Sequence, residues 1–299
     1  MPKTVDVIIN SNSGGFVAEE TLVEIERAFA GYSVEVRLHV ADTGDETEKL
    51  AAECADSEGD IIVAAGGDGT ISAVAKEVVR AGKVLGILPL GTLNNFSKDL
   101  QIPQDIDGAI RTIVENSERM IDLGEVNGRI FINNSSIGLY PHIVRDREKQ
   151  QRLGRGKWLS AFWASLRIFK RSPFLKVELE IDGKKFLRKT PFVFVGNNSY
   201  EMEIYNIGRR KNLETGELSV YYLHRDGRWG LIMLILKTAL GSLKQWEDFE
   251  YIATKQITLF TRKNLINAAI DGETTMMETP LTYKIRPRAL RVVVPAITK

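Results

Sequence analysis

The stretch Ile61-Ile62-Val63-Ala64-Ala65-Gly66-Gly67-Asp68-Gly69-Thr70 decides how the fold is read. An apolar, largely β-branched run meets three glycines set around one aspartate and one threonine. Beyond Thr70, apolar residues fall at 71, 74, 75, 78 and 79, the spacing of one helix face. The pattern is a buried strand, a tight turn and an amphipathic helix. Glycine in such a turn lets the backbone approach a ligand closely. The first N–H groups of the following helix, with its positive dipole end, suit a phosphate. Two familiar phosphate-loop templates do not fit, however. No lysine follows the glycines as a Walker A loop requires, and Ser72 stands where a dinucleotide fingerprint needs its last glycine.

Working outward, strand and helix signals alternate. Val5 to Ile9 reads as a strand and leads into the turn Asn10-Ser11-Asn12-Ser13-Gly14-Gly15. A helix follows from about Ala18 to Phe29, then a strand over Ser33 to Val40 and a helix over Thr47 to Cys54. After the Ile71 to Val79 helix comes a strand, Val84 to Leu88, ending at Pro89-Leu90-Gly91-Thr92, and a further helix spans Ile106 to Val114. Such β-α-β-α order predicts a Rossmann-like parallel sheet covered by helices. Ligands of these sheets bind at the carboxyl ends of the strands. The turns at 10–15, 66–70 and 91–95 all fall at those ends.

From about Met120 the grammar changes to short strands: Arg129 to Asn133, Lys176 to Ile181, Phe192 to Gly196, Leu218 to Leu223, Gln256 to Phe260 and Ala268 to Ile270. Turns such as Asp182-Gly183 and Asp226-Gly227 separate several of them. A mostly antiparallel β-sandwich or barrel is expected. The final strands, Leu281 to Ile285 and Ala289 to Val294, could close either domain. The expected division is residues 1–122 plus about 286–299 for the α/β domain and 123–285 for the β-rich domain.

Composition narrows the function. A net charge of +1 over 299 residues provides no global field for nucleic acid, which is not expected as a partner. One cysteine, Cys54, and three histidines, His39, His142 and His224, make a zinc site unexpected. A single cysteine fits a reducing, cytoplasmic setting, and the N-terminus shows no signal-peptide core. The longest apolar run, Leu231 to Leu236, falls far short of a membrane span. Lys157 to Arg171 carries Trp158, Leu159, Phe162, Trp163, Leu166 and Phe169 at helical spacing among basic residues. That stripe suits either packing on the β domain or peripheral docking on anionic lipid at the inner membrane face. Trp229 to Leu240 is apolar nearly all round, as a buried helix or a greasy cleft would be. No residue pattern specifies an oligomeric state.

Three groups of residues carry candidate chemistry. Asp68 sits in a loop suited to phosphate, a conflict that disappears if a divalent cation bridges the two or if Asp68 orders neighbouring donors. Thr70 can donate to a phosphate oxygen, and Gly91-Thr92-Leu93-Asn94-Asn95 offers a second donor-rich turn or an ordinary helix cap. Asp271-Gly272-Glu273 follows the strand Ala268 to Ile270 and is either a surface turn or a pair of carboxylates aimed at one site. A carboxylate is a sufficient base for an alcohol attacking a phosphoryl group.

Asn10-x-x-Ser13-Gly14, Gly66-Gly67-Asp68-Gly69-Thr70, Pro89-Leu90-Gly91-Thr92-x-Asn94 and Asp271-Gly272-Glu273 occur in the order and spacing of the diacylglycerol kinase catalytic family. The chain resembles its bacterial, single-chain lipid kinases along essentially its whole length. The resemblance implies an ATP- and Mg²⁺-dependent kinase acting on a hydroxyl of a diacylglycerol-like or sphingoid-like lipid. It implies ATP contacts at Asn10, Ser11, Asn12, Ser13, Gly14, Gly66, Gly67, Asp68, Gly69, Thr70, Ile71, Ser72, Gly91, Thr92 and Asn94. By the same match Asp271 or Glu273 accepts the lipid proton, with Asp68 also catalytic. An auxiliary metal site would fall on Asn212, Thr215 and Glu217, with Glu214 close by. The chain departs from the family pattern at Ile71-Ser72-Ala73, at Asn95 and at Thr215, the last two standing where aspartates are usual. NAD kinases and phosphofructokinases also use a GGD-G loop. A soluble-acceptor kinase, or a nucleotide- or lipid-binding protein without turnover, are therefore the alternatives.

Overall fold

The computed structural model describes residues 4–13, 19–138, 174–200, 210, 212–223 and 249–296. Gly14, the Lys157 to Arg171 and Trp229 to Leu240 stretches, and the Asp226-Gly227 turn lie outside the described residues. The chain divides into two compact units. The first comprises Met1–Leu123, Gly208–Gly216 and Arg286–Lys299, and the second Gly124–Ile207 and Glu217–Ile285.

In the first unit the elements run β1 (Thr4–Asn10), α1 (Glu19–Ala30), β2 (Glu35–Ala41), α2 (Gly44–Ala55), β3 (Ile61–Gly66), α3 (Asp68–Ala81), β4 (Val84–Pro89), α4 (Asn95–Asp99), α5 (Ile106–Glu115) and β5 (Ser117–Val126), which passes into the second unit after Leu123. The sheet order is β2-β1-β3-β4, and the C-terminal strand Leu281–Val294 pairs next to β4 through Arg291 and Val292. All of these pairings are parallel. β3 and β4 are buried at every residue, as expected of central strands covered on both faces. The helices start where the sequence supplies acceptors: Thr43 takes the Glu46 N–H at the head of α2, and Asp105 takes the Gly108 N–H at the head of α5. Gly82, at φ 66°, closes α3 in the left-handed conformation.

The second unit is antiparallel. Its strands are β6 (Arg129–Phe131), β7 (Asn134–Gly138), β8 (Leu175–Ile181), β9 (Lys184–Thr190), β10 (Phe192–Asn197), β11 (Leu218–Leu223), β12 (Phe249–Thr254), β13 (Gln256–Thr261), β14 (Leu265–Ile270) and β15 (Glu273–Glu278). The C-terminal strand is then β16, and its first half belongs to this unit. One sheet runs β16-β13-β8-β9 and the other β12-β11-β10-β7-β14-β15. Alternate residues meet in a shared core that includes Val177 and Leu179, Val193 and Val195, Val220 and Tyr222, and Ile257 and Leu259. That period of two is what a sandwich with one buried face per sheet requires. The α/β fold with a parallel sheet and the antiparallel sandwich are thus both present.

The structure adds strands the sequence pattern does not announce. β9, β12 and β15 each end a sheet, and an edge strand with one ladder partner needs less apolar alternation. β9 shows this clearly, since Lys184, Lys185, Phe186 and Leu187 are all exposed. β5 begins at Ser117, ahead of the expected change near Met120. The two expected final strands are one continuous strand, β16, with Arg288 at φ 50° marking the place where the pattern breaks.

Candidate functional site

β1 lies between β2 and β3, so the chain leaves β1 on one side and returns on the other. The carboxyl ends of β1 and β3 therefore flank the crevice where open α/β sheets take ligands. The turn after β1 and the glycine turn after β3 meet there. Asn10 Nδ2 donates to Thr70 Oγ1 at 3.2 Å, and Ser13 Oγ lies 3.5 Å from the same oxygen. Asn10 Oδ1 accepts the Asn12 N–H at 3.0 Å. Ser11 Oγ donates to Asp42 Oδ1 at 2.7 Å, and Asn12 Nδ2 to the Asp42 carbonyl at 2.6 Å. The Ser11 and Asn12 side chains therefore hold the turn in shape, and the Thr70 hydroxyl joins it to α3.

The head of α3 leaves donors open. Its helical ladder begins with the Ile71 N–H donating to the Gly67 carbonyl at 3.0 Å. The N–H groups of Asp68, Gly69 and Thr70 precede that ladder and have no partner within the helix. Gly67, the N-cap, has no side chain to occupy them. Side chains are excluded from the neighbouring glycines by contact. A Cβ on Gly66 would lie 2.4 Å from Thr70 Oγ1, and one on Gly91 would lie 2.4 Å from the Gly67 Cα. Ile71 and Ser72 are buried in α3, and Thr92 is exposed.

The Asp68 carboxylate is taken up by two backbone amides. Its Oδ2 accepts the Asn95 N–H at 3.1 Å and its Oδ1 the Phe96 N–H at 2.9 Å. The carboxylate caps α4 from a distant turn and so fixes the 91–95 loop against α3. Asn94, left-handed at φ 51°, donates through Nδ2 to the Pro89 carbonyl at 3.1 Å. Its buried Oδ1 has no partner among the described residues. A buried acceptor left open is costly and is the kind of atom a bound donor satisfies.

α4 is held at its other end by a pair of wholly buried charges. Arg210 Nε donates to Asp99 Oδ2 at 2.8 Å, and the guanidinium lies 5.7 Å from the centre of the Phe96 ring. Burial pushes the Asp99 carboxyl above its ordinary value, against the pull of Arg210.

In the second unit, Asp271 and Gly272 form the turn of the β14–β15 hairpin. Both have positive φ, 48° and 90°, and Ile270 pairs with Glu273 across them, as a two-residue primed turn requires. Asp271 Oδ1 accepts the N–H groups of Asn133 and Asn134 at 2.8 and 3.1 Å, and Oδ2 that of Ile132 at 2.9 Å. The Asp271 N–H in turn donates to the Asn134 carbonyl at 2.8 Å. Glu273, two residues on, is exposed.

Residues 4–126 match the diacylglycerol kinase catalytic domain, and residues 142–294 match the YegS C-terminal NAD kinase beta sandwich-like domain. A diacylglycerol kinase of Staphylococcus aureus strain Newman is 31% identical over 282 residues, covering 91% of this chain and 87% of that protein. The chain belongs to the diacylglycerol kinase family. Membership places it among lipid kinases, a class whose phosphate donor is ATP. A diacylglycerol kinase of Bacillus subtilis strain 168 is 32% identical over 187 residues, which span 62% of this chain and 61% of that protein. Among solved structures, a diacylglycerol kinase from Bacillus anthracis strain Sterne aligns with a TM-score of 0.71 over 99% of this chain and 98% of that one, at 18% identity. Another chain from that organism gives 0.77 over 99% and 97%, at 23% identity. At those identities the likeness concerns the fold.

Against the family's auxiliary metal site, the stretch 212–217 offers a weak donor set. Asn212 Oδ1 accepts the Glu214 N–H at 2.8 Å, and the Glu214 carboxylate pairs with Arg119. Thr215 is exposed, and the backbone carbonyl of Glu217 accepts the Asn198 N–H at 3.2 Å. No three His, Cys, Asp or Glu side chains converge there among the described residues. The residues as arranged do not fit a carboxylate-bound ion.

Several organising residues of this family member escape a sequence reading. Asp42 shapes the first turn. Asp122, buried in β5, accepts the Gly216 N–H at 2.7 Å and the Arg288 N–H at 2.9 Å. Arg210 lies in the basic run Arg209-Arg210-Lys211 and meets Asp99 only through the fold. None sits in a glycine-rich motif. The one available signal was a charged residue inside an otherwise apolar strand, as Asp122 is in Met120 to Leu123.

Proposed function

We propose that this kinase transfers the γ-phosphoryl group of ATP to a hydroxyl of a diacylglycerol-like or sphingoid-like lipid. The reading rests on the open N–H groups of Asp68, Gly69 and Thr70 at the head of α3, beside glycines whose Cβ positions are filled by backbone or by Thr70. Those amides would receive the ATP phosphates, with the Thr70 and Thr92 hydroxyls as further donors. Asn94 Oδ1 would accept a hydrogen bond from the nucleotide or its bound water. Mg²⁺ would come with the nucleotide and neutralise phosphate charge. Both oxygens of Asp68 already hold amides, so its proposed role is to fix the loop that receives those phosphates.

Glu273 is the proposed base. Asp271 spends three of roughly four acceptor positions on backbone amides, whereas Glu273 is exposed. As the lipid oxygen bonds to the γ-phosphorus, the bond to the β–γ bridging oxygen breaks and ADP leaves. The hydroxyl proton passes to Glu273. A cytoplasmic enzyme meeting lipid at the inner membrane face is the setting proposed; among the described residues no helix is long and apolar enough to cross a membrane.

The test incubates purified protein with labelled ATP, Mg²⁺ and mixed micelles of diacylglycerol or sphingoid base, beside NAD and sugar phosphates. NAD is a fitting control because the second unit matches an NAD kinase-like sandwich. Label is expected in a lipid product. Label in NAD with none in lipid would overturn the reading.

A further inference from the structure

Far from the phosphate loops, a buried polar cluster joins the chain's only cysteine to one of its three histidines. Asp6 in β1, His39 in β2 and Cys54 in α2 each present a ligand atom, and all three atoms lie within 4.8 Å of one another. We propose that Asp6, His39 and Cys54 bind one divalent ion of the zinc class, at a site separate from the kinase chemistry.

Imidazole nitrogen, carboxylate oxygen and thiolate sulfur together form a donor set suited to zinc and its borderline-soft neighbours. Tetrahedral bonds to such donors hold them about 3.3–3.8 Å apart, so the widest pair closes by about 1 Å on binding. The tightest pair, His39 Nε2 and Asp6 Oδ1, already stands at 3.0 Å. Asp6 and Cys54 are buried, whereas His39 is partly exposed and is the side from which an ion would enter. The Cys54 thiol is free and buried.

The surroundings resemble an outer shell. Ser57 Oγ donates to the second Asp6 oxygen at 3.0 Å and fixes the carboxylate's orientation. Gly59 leaves space for that oxygen, since a Cβ there would lie 2.5 Å from Asp6 Oδ2. The nearby cation, Lys83, donates to the Cys54 and Ser57 carbonyls at 2.8 and 2.7 Å. A carboxylate and a thiolate neutralise a divalent ion, the thiol proton passing to solvent. Asp6 stands four residues before Asn10 along β1, roughly 13 Å at the rise of a strand. The bound ion would pin β1, β2 and α2 together at the edge of the sheet away from the nucleotide.

The test uses the full chain after chelator treatment. Titration with Co²⁺ is expected to give one ion per chain and a thiolate-to-cobalt charge-transfer band, which added Zn²⁺ removes. Cys54→Ser should abolish the band. His39→Asn, at a partly exposed position, should fold as the wild type does and lose at least about tenfold in Zn²⁺ affinity, and Ser57→Ala about 10–100-fold. Zn²⁺ should raise the unfolding midpoint of the wild type and leave that of Cys54→Ser unmoved. Absence of the band in folded wild-type protein would overturn the proposal. So would a Zn²⁺ affinity unchanged in folded His39→Asn.

Discussion

The turn that ends β3 and the turn that joins β14 to β15 use an aspartate in the same way and leave different groups open. In the first, Asp68 takes the amides of Asn95 and Phe96 and so caps a helix begun by another loop. In the second, Asp271 takes the amides of Ile132, Asn133 and Asn134. Each carboxylate organises backbone that lies far away in sequence. What remains open beside Asp68 is a set of N–H donors, suited to anions; what remains open beside Asp271 is the Glu273 carboxylate, suited to a proton. In the proposed function the difference would separate phosphate binding from proton removal, and it teaches that an aspartate inside a motif can be scaffold for the group next to it.

Changes to each turn can break or sharpen that comparison. The largest effect is expected from Glu273→Gln, which should lower transfer by about 10²–10⁴-fold at an unchanged unfolding midpoint. Labelled ATP and a thermal melt together check it. Gly91→Ala comes next. The added methyl would press on the Gly67 backbone at 2.4 Å, costing about 1–3 kcal/mol of stability. Because the two loops must part to admit it, ATP affinity in a titration should fall by about tenfold or more. Asp68→Ala removes the cap on α4 and should cost about 0.5–2 kcal/mol in denaturant unfolding, with weaker ATP binding. Smallest is Thr70→Val, which loses the Asn10 bond and should cost about 1 kcal/mol, while Thr70→Ser keeps the hydroxyl and stays near wild type.

How much of this was readable beforehand depended on distance along the chain. The β3–α3 turn was legible because its determinants are contiguous: an apolar run, glycines, then helical spacing. The Asp182-Gly183 turn was legible for the same reason, and its two residues do have positive φ, 50° and 74°. The partners of Asp68 stand 27 and 28 residues away and those of Asp271 at 137 to 139, and no local pattern encodes them. The same holds for Asp6, His39 and Cys54: the scarcity of cysteine and histidine argued against zinc, while the fold brings these three together. Edge strands stayed hidden because they lack a fully buried face to impose alternation, as Lys184 to Leu187 show.

The division of labour in the hairpin is the central claim, and transfer rate per folded molecule in Asp271→Asn against Glu273→Gln tests it most directly. Asp271→Asn should lose about 1–3 kcal/mol of stability, since an amide cannot serve all three N–H groups, yet keep its rate within about tenfold once folded. Glu273→Gln should keep its stability and lose its rate. A folded Asp271→Asn that transfers no phosphate, beside a Glu273→Gln that works normally, would contradict the account.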